Sequence, residues 1–178
     1  MNTLRLVVSI LLLPFAADAQ DFEWVKTFGG VQNDYGIAAA TDPFGNVYIT
    51  GTYFDTLDFD PGVGTANMMP VGFADIFVLK LDSSGNYLWV KSFGGANFDR
   101  PKAIAVDGNG NVYTTGYFQD TVDFDPGPGI LNLSSEFGYD IFIQKLDAAG
   151  NFLWARSFGG QGFDESSDID LDGAGNVR

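Results

Sequence analysis

The stretch Leu81–Gly95 reads LDSSGNYLWVKSFGG, and Leu146–Gly160 reads LDAAGNFLWARSFGG. The offset is 65 residues (146 − 81). Trp24, Trp89 and Trp154 keep the same spacing, and Trp24–Leu88 aligned without gaps on Trp89–Leu153 matches at 34 of 65 positions. A third copy runs from Trp154 to Arg178. A chain that repeats at such a period stacks one supersecondary unit on the next, because each unit buries its faces only against its neighbours.

Within each copy one turn pattern, Asp-x-x-Gly-Asn, occurs twice. It places Gly45-Asn46 and Gly85-Asn86 in the first cycle, Gly110-Asn111 and Gly150-Asn151 in the second, and Gly175-Asn176 in the third. The Asp accepts from turn N–H groups, and Gly and Asn tolerate positive φ, so each turn predicts a hairpin. The predicted strands are Ile37–Thr41, Val47–Phe54, Ile76–Leu81 and Tyr87–Phe93, then Ala103–Val106, Val112–Phe118, Ile141–Leu146 and Phe152–Phe158. Lettered A to D, they are short and rich in Val, Ile, Tyr, Phe and Trp. DIFVLKL sets Ile76 and Val78 on one side and Phe77, Leu79 and Leu81 on the other. A strand apolar on both faces lies in a sheet sandwiched between two others. Four antiparallel strands per unit, stacked face to face, make a β-propeller blade. A β-solenoid uses shorter coils without two hairpins each, and a β-sandwich does not repeat its sequence.

The expected fold is therefore all-β, with propeller blades in an incomplete ring of about two full blades. The expected divisions are a signal peptide over 1–19, an N-terminal D-type strand over 20–35, blade 1 over 36–95, blade 2 over 96–160 and the start of a third blade over 161–178. The D-type strand is a candidate for closing a ring with later blades. The pattern stops mid-hairpin at Arg178, which reads as the N-terminal piece of a longer protein.

The leader has Arg5, an apolar run from Leu6 to Phe15, and Ala17-Asp18-Ala19 as a small-x-small cleavage pattern, so Gln20 is the expected mature N-terminus. The run is too short to cross a bilayer as a helix, and no second one follows. Secretion or cell-surface location is expected. Formal charge is −14, from 23 acidic and 9 basic residues. That repels phosphate backbones and anionic lipid, so nucleic acid and the bilayer surface are excluded as expected partners. With no Cys and no His in the sequence, disulfides, thiolate chemistry and His-based triads or metal sites are excluded as well.

AVDGNGNVYTTGYF, DIFIQKLDAAGNFLWARSFGG and VDFDPG resemble the SBBP-type β-propeller repeat. The likeness spans Phe22–Val177. It implies an extracytoplasmic protein, often a long one with adhesion or sorting modules, and it carries no catalytic residues to transfer. The Asp-x-x-Gly-Asn-x-Tyr core is also similar to the NHL repeat, whose period is shorter.

Several constellations bear on chemistry. LDSSGNYLW resembles the tryptophan-docking motif of quinoprotein propellers and approaches the sialidase Asp-box, with altered spacing in both cases. Trp24, Trp89 and Trp154 are read as wedges between blades. Asp107, Asn109 and Asn111 begin like a calcium loop, but Val112 and Phe118 stand where the EF-hand needs Gly and Glu. The pairs Asp58/Asp60 and Asp123/Asp125 precede Pro-Gly turns and could hold Ca²⁺ or cap the turn. Asp34, Asp99 and Asp164, each four residues after a Gly-Gly pair, are read as acceptors for loop N–H groups. The repeat breaks at Arg100-Pro101-Lys102, at Glu165-Ser166-Ser167, and where Phe73-Ala74 becomes Gly138-Tyr139.

Catalytic dyads break a repeat, and the acids here are periodic. The expected function is a non-enzymatic binding or structural module of a larger protein, without cofactor, Ca²⁺ being the sole candidate. Its expected partners are an extracellular protein or glycan and the remaining blades of the chain. The alternative is part of a carboxylate-dependent propeller enzyme, a glycoside hydrolase or lyase, with its active site in other blades.

Overall fold

The computed structural model describes residues 23–178. The leader, its cleavage site and the start of the N-terminal segment lie outside the described residues.

The first blade is built from β1 (Tyr35–Thr41) and β2 (Val47–Tyr53), a small hairpin of β3 (Leu57–Asp58) and β4 (Asn67–Met68), then β5 (Asp75–Leu81) and β6 (Tyr87–Gly95). The second comprises β7 (Arg100–Val106), β8 (Val112–Asp123), β9 (Asn132–Leu146) and β10 (Phe152–Phe158), followed by β11 (Gln161–Phe163). Both blades are antiparallel in consecutive order, β1-β2-β5-β6 and β7-β8-β9-β10. Their registers match: Val47 faces Leu81, and Val112 faces Leu146. The third copy begins a hairpin, with Leu171 bridged to Val177. The chain thus forms propeller blades whose sheets do not close a ring.

The two faces of β5 separate as their alternation predicts. Ile76 and Val78 join a cluster with Phe118, Phe124, Phe142 and Leu146 of the second blade. Phe77, Leu79 and Leu81 join the opposite cluster, against which Trp24 and Phe28 pack. Every residue of β5 is buried. Full burial of each such side chain contributes roughly 1.5–3 kcal/mol, so stacking is the dominant stabilising term. The far face of blade 2 carries Ile143 and Trp154 against Ile169, Leu171 and Val177 of the third copy.

Three features add to the expectations. The N-terminal segment, expected as a D-type strand for later blades, is in no ladder over residues 23–34, and Tyr35 already begins β1. A fourth strand is held by the third strand of its own blade, and no such strand precedes this segment among the described residues. The first strands are longer than predicted, because Tyr35-Gly36 and Arg100-Pro101 stay paired beyond a bulge at Ile37 and Lys102. Pro101 is tolerated because it sits at that bulge on an edge strand. Gly116 opposite makes room, since a Cβ there would lie 2.7 Å from Pro101 Cα. Finally, β8 and β9 run beyond Phe118 and before Ile141. Thr121–Asp123 pair with Asn132–Ser134 as an arm, and Gly94-Gly95 of β6 add to it. That arm hydrogen-bonds blade 2 to blade 1.

Candidate functional site

The Asp-x-x-Gly-Asn turns use both carboxylate oxygens. Asp42 Oδ1 accepts from the N–H groups of Phe44 (2.9 Å) and Asn46 (3.0 Å), and Oδ2 accepts from Asn46 Nδ2 (2.7 Å). Asp82, Asp107, Asp147 and Asp172 repeat this. The glycines Gly45, Gly85, Gly110, Gly150 and Gly175 have φ of 76–81°, a conformation that glycine adopts without strain. At Asp82 the Asn86 N–H, then the Asn86 side-chain amide, hold the carboxyl below its ordinary pKa. In the second cycle Asn109 gives only its backbone N–H to Asp107, and Asn111 points an amide donor at it.

The Asp-Phe-Asp-Pro-Gly segments are also turn locks. Asp58 Oδ1 accepts from Asp60 N (3.0 Å) and Ala66 N (2.7 Å), and Asp60 Oδ1 accepts from Gly62 N (2.7 Å). Asp123 and Asp125 repeat the arrangement on Asp125 N, Leu131 N and Gly127 N. Phe59 and Phe124, between the acids, point inward and are fully buried. Among the described residues, no three acidic side chains converge on a point that could hold a metal ion.

Blade joints carry the remaining polar groups. Trp24 Nε1 donates to Ser83 O (2.9 Å), and Trp89 Nε1 donates to Ala148 O (3.2 Å), 59 residues on in each case. Lys80 Nζ donates to the same Ala148 carbonyl at 3.1 Å while lying 4.8 Å from the Tyr48 ring centroid. Tyr48 meets Trp89 edge to face at 6.2 Å, and Tyr113 meets Trp154 at the same distance. The three tryptophans thus occupy equivalent places, each on the face turned toward the next unit.

At the opposite end of the joint, buried Asp99 accepts from Gly95 N (2.7 Å) and Gln119 N (3.1 Å). Asp34 and Asp164 accept likewise from Gly30 N and Gly160 N. Burial pushes the Asp99 carboxyl up to about 6, against those two N–H bonds; the charges of Asp75 and Asp120 add to the rise. Asp75 is buried too, with Oδ1 unpartnered, and burial raises its pKa. Of the repeat-breaking residues, Arg100–Lys102 lie on β7 and Gly138-Tyr139 on β9, and Lys102 Nζ is 2.9 Å from Glu165 and 5.3 Å from the Tyr117 ring centroid.

A half-open cavity of about 720 Å³ lies at the rim of blade 2, where the irregular middle stretches of β8 and β9 meet β11. Its lining includes Gln119, Asp120, Glu136, Phe137, Gly138 and Phe163. Sequence reading singled out only the Gly138 break. The signal for the others was present, because Gln119 stands where the first copy has Phe54.

A family model described as a β-propeller repeat, SBBP, matches residues 88–117. That span runs from β6 through the joint into β8 and so covers the contact between two blades. An uncharacterized WD repeat-containing protein of Acanthamoeba polyphaga mimivirus is 27% identical over 147 residues, covering 78% of this chain and 11% of the relative. The regulatory protein FlaEY of Caulobacter vibrioides is 27% identical over 130 residues, covering 72% of this chain and 13% of its own length. The chain spans little more than a tenth of the curated relatives that it matches.

Proposed function

From a chain built of β-propeller repeats of the SBBP type, we propose an exported, non-enzymatic binding module that belongs to a larger extracytoplasmic protein. One observation carries the non-enzymatic part. The recurring acids of the Asp-x-x-Gly-Asn segments give both oxygens, and those of the Asp-Phe-Asp-Pro-Gly segments one oxygen each, to donors of their own turns, which gives them a structural role that recurs in each blade. Export is supported by the leader-like first 19 residues. Its partners are an extracellular protein or glycan and further blades.

Expressed in a bacterium with its own leader, the chain is expected outside the cytoplasm with Gln20 as N-terminus. Mass spectrometry of the periplasmic and medium fractions checks this, and an uncleaved cytoplasmic product sinks it. No resident metal belongs to the proposal. Calcium at about 5 mM, well into the weak extracellular regime, is therefore expected to leave the melting temperature unchanged, because among the described residues no three acidic side chains converge on one point. A rise of several degrees would mean that a turn or joint takes up the ion.

A further inference from the structure

We propose that the cavity at the rim of blade 2 binds a neutral saccharide, with a hexose unit set against Phe137 and Phe163. This rests on the binding-module reading and names its site and ligand class. The carrying observation is a comparison inside the chain. At the matching place in blade 1, three rings fill the space: Phe54–Phe73 at 5.5 Å, Phe54–Phe98 at 5.9 Å and Phe73–Phe98 at 6.4 Å. In blade 2 the first ring is replaced by Gln119 and the second by Gly138, while Phe163 keeps the third position, backed on one side by Tyr139 at 5.1 Å in place of Ala74. Val71 becomes Glu136 and Pro70 becomes Ser135. The Gly-Phe order at positions 72–73 is inverted to Phe137-Gly138, which shifts an exposed ring by one position along the rim and away from the ring it meets in blade 1. The result in blade 2 is a cavity with aromatic walls and polar ends.

The backbone is shaped for it. Gly138 has φ of 81°, and a Cβ there would lie 3.1 Å from Phe163 Cδ1. Its lack of a side chain lets β11 run parallel along β9, with Gly162 facing Gly138, and brings the two phenyl rings to one opening. Asp120 has φ of 58°, the sole non-glycine residue with positive φ among the described residues. Its N–H donates to Ser135 Oγ at 2.9 Å, and its carboxylate accepts from Asn97 Nδ2. Phe137 and Phe163 stay 74% and 77% exposed, a standing cost that a stacked ligand removes.

The chemistry selects the ligand. A phenyl face offers a weakly negative surface to the C–H bonds of a pyranose, and the carboxylates and amides at the edge take its hydroxyls. Anionic sugars are disfavoured by Asp120, Glu136 and the overall charge of −14. An alkylammonium group would also lie against rings and carboxylates. It would leave the side-chain amides of Gln119 and Gln161 without a role, and on that ground the saccharide is favoured.

The test is an amide-resolved NMR titration of the chain with glucose, galactose, N-acetylglucosamine, maltose and choline. One neutral sugar is expected to bind in the millimolar range and to shift the amides of Phe137, Gly138 and Phe163. Phe137→Ala, at an exposed position, is expected to weaken it about tenfold without moving the melting temperature. Gln119→Phe, which restores the blade 1 residue, is expected to do the same. Choline binding in place of sugar overturns the proposal, and so does the absence of any shift with folded protein. Neither result bears on export, which the fractionation reads separately.

Discussion

Phe124→Ala is expected to lower the unfolding free energy by about 3–5 kcal/mol, the range for removing a buried aromatic ring from a packed core. Phe124 is fully buried and lies 5.6 Å from Phe93, 5.1 Å from Phe118 and 5.1 Å from Phe142, centroid to centroid. Phe93 belongs to β6 of blade 1, whereas Phe118 and Phe142 belong to blade 2. The ring therefore joins two units that otherwise share few ladder bonds. Its carbonyl also receives Gln144 Nε2 at 2.7 Å, a bond that the substitution leaves in place, so the loss reads the ring alone. Phe44→Ala is the control: that side chain is 77% exposed in a turn, and the expected change stays within about 0.5 kcal/mol. Urea unfolding of both variants checks the contrast. A loss below about 1 kcal/mol for Phe124→Ala would mean that the blades do not depend on one another for their cores.

The legible part of this fold was the part that repeats. Asp-x-x-Gly-Asn turns fix hairpins locally, and alternation along DIFVLKL fixes two buried faces, so strand identity and stacking followed from residues a few positions apart. The arm after each second strand did not. It pairs Leu57-Asp58 with Asn67-Met68 in blade 1 and Val122-Asp123 with Asn132-Leu133 in blade 2, and in blade 2 it continues β8 and β9 through a left-handed Asp120 and takes on Gly94-Gly95 of the neighbouring blade, neither of which local propensity reports. The N-terminal segment is the opposite case. Its sequence is that of a fourth strand, but a strand needs a partner, and Trp24 keeps its place by packing and one indole bond alone. At the rim, the turn-locking acids were visible as motifs. The joint pair Asp75 and Asp99 was only half visible, because burial comes from the opposing blade.

That burial sets two populations of aspartate against each other. Asp99 has a folded-state pKa of about 6 against 3.8 in the open chain. The folded protein therefore binds the proton more tightly, and stability rises as pH falls from above 6 towards 4. A displacement of this size corresponds to about 3 kcal/mol that is missing at neutral pH. Asp75, raised by the same burial, acts in the same direction. Asp42, Asp82, Asp107, Asp147 and Asp172 have lowered values, contribute stability above the open-chain value, and lose it as pH falls below about 4. Maximum stability is thus expected near pH 5, with a decline towards neutrality that is unusual for an acidic protein. Urea midpoints measured between pH 4 and pH 8 check the curve. Asp99→Asn is expected to flatten the neutral limb while leaving the acid limb in place, because the turn carboxylates are untouched. It also exchanges one acceptor for a donor at the Gly95 and Gln119 N–H groups, so its stability at pH 5 should fall below that of the parent. A parent curve that is flat from pH 5 to pH 8 would show that the joint solvates its carboxylates, and that burial between the blades is looser than the packed geometry requires.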